Sequence, residues 1–231
     1  MDSLTGLVAE LSAQFPAVPF DEVRRHCAEA MQELGGSVPA LAVPEMLTRL
    51  VRLRLMAALL EDDRDLAAAL CTTDSLTVLA RTVRAAVTAR LGCAGASLVL
   101  LDGDQCFHAD EDPIAPMWAG QRFRVGECLA WWSIGYGQVA VISDVNCDER
   151  VPPQAYRSAQ VRSMVTVPIP GPQGTTGAIG GYWPDARQAR RADVGWLQRL
   201  AQATGAVIAD VGLGGAPWAP NFRTRFPARR R

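Results

Sequence analysis

Two hydrophobic periods follow one another along this chain. As far as Leu91 the apolar residues recur three and four apart, as on a helix face, and from Ser97 to Trp183 they mostly alternate or cluster in short runs, as in strands. Leu4, Leu7, Val8 and Leu11 form a first helical stripe, which Phe15-Pro16 ends. Val23, Cys27, Met31 and Leu34 form a second, which Gly35-Gly36 ends. Pro44 opens a third helix, where its missing N–H would have had no partner anyway. That helix carries Met46, Leu47, Leu50, Val51, Leu53, Leu55, Met56, Leu59 and Leu60, more than one stripe can account for. Two short neighbours cannot bury it. A second copy of the chain or the domain that follows must cover the rest, and the second copy is the favoured expectation because a bundle of about 60 residues is marginal alone.

Beyond this bundle the acidic, alanine-rich stretch Glu61 to Leu70 reads either as a continuation of the third helix or as a helical linker. Thr73-Asp74-Ser75 offers a fresh N-cap before Leu76, Leu79, Val83, Val87 and Leu91. After Gly92 strands are expected at Ser97 to Leu101, Gln105 to His108, Gln138 to Ile142, Ser163 to Ile169 and Ala178 to Trp183. Asp102-Gly103-Asp104 and Gly171-Pro172-Gln173-Gly174 supply tight turns. A last helix is expected from about 192 to 211, stopped by Gly212 and Gly214. Helix, two strands, an irregular helical middle, three strands and a helix predict an α+β domain, an antiparallel sheet flanked by helices, preceded by a small all-α three-helix module. The boundaries are 1–60 for the module, 61–71 for the linker, 72–213 for the α+β domain and 214–231 for a disordered basic tail.

Composition narrows the class. A hydrophobic share of 49% and a charged share of 20% are those of a folded globular chain. Leu50 to Leu60, the most apolar stretch, is interrupted by Arg52 and Arg54, so no segment reads as membrane-spanning. The start, Met1-Asp2-Ser3, does not resemble a secretory signal. A cytoplasmic protein with reduced thiols is expected: Cys27, Cys71, Cys93, Cys106, Cys128 and Cys147 contain no C-x-x-C pair, and His26 and His108 are the only histidines. Residues 1 to 70 carry 11 acids against 6 arginines, and the stretch from Gly214 carries 5 arginines and no acid. This tail is read as a solvated end, with no nucleic-acid or membrane partner assigned to it. No Walker, G-x-G-x-x-G, H-E-x-x-H or G-x-S-x-G motif is present, which leaves hydrolytic and nucleotide-dependent catalysis without support.

Three ordered stretches carry a family resemblance. They are Ala109 to Phe123 followed by Cys128 and Trp132; Asp144-Val145-Asn146-Cys147-Asp148-Glu149-Arg150-Val151-Pro152 with Tyr156-Arg157 and Val161 to Ile169; and Gly177-Ala178-Ile179-Gly180-Gly181-Tyr182-Trp183. Residues 72–213 resemble the GAF sensor domains of bacterial histidine kinases, and Phe15 to Arg54 resembles the small three-helix dimerisation modules of bacterial signalling proteins. Gly181 and Cys147 depart from the residues usual in such relatives. The resemblance implies a ligand pocket between the sheet and residues 110 to 163. Trp118, Phe123, Trp131, Trp132 and Tyr156 are candidates for its apolar wall, Asp144, Arg157 and Ser163 for its polar groups, and Cys128 is included as a candidate contact. Trp131 and Trp132 diverge by about 100° on a helix, so at most one faces a common site.

The commonplace roles stand beside these. Each aromatic equally suits core packing, Asp144, Asp148 and Arg150 suit loop pairing, and Asp110-Glu111-Asp112 suits a cap better than a cation site. No metal is expected and no cofactor is assigned. A lone histidine such as His108 is more often hydrogen-bonded than a ligand. The resemblance also raises an enzymatic alternative, since some small GAF proteins reduce free methionine sulfoxide with cysteines, for which Cys128 and Cys147 are the candidates here. The expected function is a non-enzymatic sensory and regulatory protein, a homodimer that binds a small molecule and signals to a histidine kinase or another signalling protein. A structural adaptor with no ligand is the third reading.

Overall fold

The computed structural model describes residues 3–35, 38–39, 41–61, 63–111, 120–124, 126–151, 160–172 and 174–210. Among these, five helices come first: α1 (Ser3–Gln14), α2 (Phe20–Leu34), α3 (Val43–Leu59), α4 (Arg64–Cys71) and α5 (Leu76–Leu91). Strands β1 (Gly95–Asp102), β2 (Gln105–Glu111) and β3 (Arg122–Arg124) follow. Then come α6 (Leu129–Tyr136), β4 (Ala140–Ile142), β5 (Ser163–Gly171), β6 (Gly174–Trp183) and α7 (Arg191–Asp210). The six strands form one antiparallel sheet in the order β3-β2-β1-β6-β5-β4. This is the expected α+β architecture.

Local chemistry explains the boundaries. The Asp63 carboxylate accepts from the Leu66 N–H at 3.0 Å and the Ser75 hydroxyl from the Val78 N–H at 3.4 Å, so α4 and α5 each begin on a side-chain cap. Glu61, at φ 56°, breaks α3 from α4, which resolves the stretch after Leu60 into a separate helix. Gly92 and Gly137, both left-handed, close α5 and α6.

Strand alternation divides the sheet into two unlike faces. Ala96, Leu98, Leu100, Val165, Val167, Ile169, Ile179 and Trp183 point to one side and share a core with α1 to α5 and α7. On that side α7 lies so close to β5 that a Cβ on Gly205 would sit 2.2 Å from the Pro170 carbonyl oxygen, and only glycine permits the approach. The module and the sheet therefore share one hydrophobic core. Val51, Leu55 and Met56 of α3 are fully buried, with α2, α4 and α7 packed around the helix. The chain's own α7 thus provides cover that the sequence reading had sought first in a second copy. Ion pairs reinforce the junction: Glu61 meets Arg90 at 3.3 Å and also Arg199, and Arg52 meets Asp210.

Candidate functional site

The other face of the sheet is covered by α6 and holds the candidate site. From β1 it receives Ser97, Val99 and Leu101, from β2 Cys106 and His108, from β5 Met164 and Thr166, and from β6 Ala178, Gly180 and Tyr182. A register shift between Leu98 and Val99 sets His108 opposite Val99 and Cys106 opposite Leu101, so both β2 side chains turn inward. In the next strand Phe123 pairs with Cys106, and its ring meets the His108 imidazole edge-on at 5.2 Å between centroids. Arg122 holds β3 in place, reaching Asp102 at 2.7 Å and lying over the Phe107 ring at 4.7 Å.

Among the described strand residues, the buried polar side chains Ser97, His108 and Thr166 lie on this face, and Ser163 lies on the other. The Ser97 and Tyr182 hydroxyls hydrogen-bond each other, as do those of Ser133 and Thr166. A Cβ on Gly180 would meet the Tyr182 and Ser97 hydroxyl oxygens at 2.9 and 3.0 Å, so glycine keeps the space around that pair. Cys128 occupies the N-cap position of α6 and is buried against Cys106. The neighbouring Cys106 thiol and, after it, the His108 imidazole draw the Cys128 thiol well below its ordinary pKa despite burial. Cys106, which keeps the shared proton in a buried position, is pushed up correspondingly. Among the described residues, no group of three or more His, Cys, Asp or Glu is arranged to hold a metal ion.

The sequence candidates fall into three sets. Phe123, Cys128 and Trp132 come together on the α6-covered face. Phe123 joins both of its apolar clusters, Trp132 packs with Leu129 and Met164, and Trp131 diverges to the cluster around Cys106 and Ile134. Asp144 and Ser163 have structural partners. Asp144 binds the Arg162 guanidinium at 2.8 and 2.9 Å and accepts from the Asn146 N–H at 3.0 Å, which holds its carboxyl down at about 2. Ser163 is buried and donates to the Asp185 carbonyl at 2.8 Å, on the same side of its strand as Val165. Trp118, Tyr156 and Arg157 lie outside the described residues, as does Asp112 of the acidic run.

Nearby, Arg150 pairs with Asp148 at 2.6 Å, donates to the Val141 carbonyl and lies 5.1 Å over the Trp132 ring, tying the loop after β4 to α6. Cys147 is exposed in that same loop, beyond the opposite edge strand from β3. The residues that sequence reasoning missed are Cys106 and the Ser97–Tyr182 pair. Their signal was the alternation Cys106-Phe107-His108 and Ser97-Leu98-Val99, which sends cysteine, histidine and serine to one side.

An antiparallel sheet with helices on one face, and buried hydroxyl, thiol and imidazole groups under a short helix on the other, defines a small α+β domain. The chain belongs to the GAF domain family, whose model matches residues 73–209, more than half of its length. GAF domains serve in sensing and ligand binding. Solved structures of the same fold include the GAF domain of a phosphoenolpyruvate-protein phosphotransferase from Coxiella burnetii, at 15% identity and TM-score 0.60, covering 71% of this chain and 98% of that one. Free methionine-R-sulfoxide reductase from Neisseria meningitidis, solved with its substrate, has 17% identity and TM-score 0.56, covering 71% and 93%. A methyl-accepting chemotaxis protein has 17% identity and TM-score 0.55, covering 65% and 99%. At such identities the likeness is one of fold. No match is found among curated protein sequences. No helix among the described residues is long and apolar enough to cross a membrane.

Proposed function

We propose that this protein is a non-enzymatic sensory regulator that binds a small molecule on the α6-covered face of its sheet and signals through contact with a second copy or a partner. The observation that supports it most is the burial of His108, Ser97 and Tyr182 beside the half-buried rings of Phe123 and Trp132. A mostly apolar lining with a few convergent polar groups suits a compact organic ligand carrying a hydrogen-bonding group. Trp118, Tyr156 and Arg157 are proposed as further contacts on the strength of the family resemblance. Because α7 packs on both β5 and α3, a ligand that favours one packing of the sheet would bias the helical module.

A homodimer is the proposed signalling form, with the partner a histidine kinase or another signalling protein. Met46, Leu50 and Leu53 remain at least partly exposed around a groove of about 330 Å³ between α3 and α4. The decisive experiment is native mass spectrometry of the full chain purified from its own host. A bound small molecule, lost on Phe123→Ala, is the expected result; protein without one, and without affinity for host metabolite extracts, removes the sensing claim. Light scattering on the same sample tests the dimer, which a monomeric mass would end.

The enzymatic alternative draws on the fold shared with the Neisseria reductase and on the Cys128 thiol environment. NADPH consumption with thioredoxin and free methionine sulfoxide, abolished by Cys128→Ser, would replace the regulatory reading.

A further inference from the structure

We propose that residues 211–231 fold back onto the helical module and seat the Trp218 ring in the groove between α3 and α4, latching the end of α7 to that module. The groove itself gives the first reason. It encloses about 330 Å³ and is lined by Met46, Leu50 and Leu53 from α3 and by Ala68 and Cys71 from α4. Met46 is 41% exposed although it is a large apolar side chain. The second reason is where α7 ends. That helix packs on both α3 and α4, and Asp210, its last residue, pairs with Arg52, which also lines the groove. The chain therefore leaves α7 at the edge of the groove. Trp218 stands eight residues further on. Eight residues span up to about 26–29 Å, whereas Met46 and Arg52 are about 9 Å apart along their helix, so the ring reaches any part of the groove.

Composition decides which part of the segment enters. Residues 211–222 carry no charge, and Trp218 lies among them between Pro217 and Pro220, whose fixed φ lowers the entropy lost on docking. From Arg223 onward come five arginines and no acid. Arg49, exposed on the groove wall, repels another arginine and attracts an aromatic face. The indole therefore enters, and Arg223 and Arg225 stay outside, where the exposed carboxylates of Glu45 and Asp74 neighbour the groove residues Met46 and Thr72 in sequence. The acidic balance of residues 1 to 70, 11 acids against 6 arginines, favours the same placement. One ring binds weakly between separate molecules. On so short a tether it meets an effective concentration on the order of millimolar, which suffices. An interface between copies needs roughly 1,200 Å² or more, so a dimer closes over the filled groove together with the surface around it.

The test is hydroxyl-radical footprinting of the full chain, with oxidation mapped by mass spectrometry. In Trp218→Ala, Met46 oxidation is expected to rise at least about twofold, as when a contact populated through a millimolar effective concentration is lost. Tyr136, exposed on α6 across the sheet, is expected not to change. Equal oxidation of Met46 in the two proteins overturns the proposal. The reciprocal variant, Met46→Arg, is expected to speed trypsin cleavage after Arg223 and Arg225 by a similar factor, and an unchanged rate overturns it as well. Dilution of the wild type needs no variant: protection of Met46 is expected to be independent of concentration. Oxidation that rises on dilution, together with a falling mass in light scattering, assigns the groove to a second copy and ends the idea of docking within one chain. None of these readouts depends on a bound small molecule, so the sensing reading stands or falls separately.

Discussion

The two faces of the sheet are built from the same strands and have opposite characters. On the helix-covered side, Ser163 apart, the large side chains of the strands are apolar, buried and continuous with a core that runs through the N-terminal helices. On the α6 side, one residue along each strand, hydroxyls, thiols and an imidazole are buried together, and the hydroxyls hydrogen-bond each other in pairs. Burial is near complete on both, so exposure does not separate them. What separates them is how the buried groups are satisfied: by contact on the first face, which any closely packed apolar residue supplies, and by specific partners on the second. The first is read as a source of stability and the second as a place for chemistry.

Adjacent residues of β1 give the largest test of that contrast. Leu98 is wholly buried on the helix side, and Leu98→Ala is expected to cost about 2–5 kcal/mol, since truncation loses both transfer energy and packing. Thermal or denaturant unfolding measures it. A loss below about 1 kcal/mol would mean this face is not the stabilising one. Next comes Gly205→Ala. Alanine is the better helix former by about 1 kcal/mol, yet its Cβ would meet the Pro170 carbonyl at 2.2 Å, and overpacking costs about 1–3 kcal/mol. A net loss of stability is expected. A gain would show that α7 can lift from β5 freely, which would weaken the idea that α7 couples the sheet to the module.

Ser97→Ala, one position before Leu98, is expected to cost about 1–2 kcal/mol, because the buried Tyr182 hydroxyl loses its hydrogen bond to Ser97. The double change Ser97→Ala with Tyr182→Phe removes both polar groups and is expected to recover part of that loss. Such a recovery has no counterpart on the helix side, where a second truncation adds to the first. If the double variant is simply additive, the hydroxyl pair has no special standing and the two faces differ less than their composition suggests.

Much of the fold was legible because periodicity is local. The stripe Val23, Cys27, Met31, Leu34 and the turn from Gly171 to Gly174 announce their elements within a few residues. The strand Arg122–Arg124 was not legible, being three residues long with one apolar side chain. Gln105–Glu111 also runs past the expected end at His108, because pairing with β1 overrides the acidic run that had suggested a cap. The site was less readable still. Cys106 and Cys128 share one apolar cluster because β3 turns the chain back over β2 and delivers Cys128 to the start of α6, and no spacing rule encodes that return. A search for C-x-x-C pairs passes over it, whereas the alternation Cys106-Phe107-His108 carried half of the answer. Ser163 shows the converse, since a polar residue entering a strand looked available for a ligand and proves committed to the Asp185 carbonyl.

The smallest expected effect concerns the loop after β4, which belongs to neither face. Arg162 and the Asn146 amide hold Asp144 in its charged form, and its carboxyl titrates at about 2 in the folded protein against about 3.9 for a free aspartate. A depressed carboxylate adds to stability above the unfolded value and loses that contribution as pH falls through the folded one, so any effect is confined to about pH 4 down to 2. Following the Asp144 carboxyl by NMR, Arg162→Gln is expected to move its midpoint upward toward 3.9, while unfolding at neutral pH changes little because the pair is solvent-screened. A midpoint that stays near 2 would assign the shift to the Asn146 N–H alone. A neutral-pH loss as large as that of Ser97→Ala would mean the loop is part of the α6-covered face after all, held there through Arg150 on Trp132, and the division into two faces would have to be redrawn to include it.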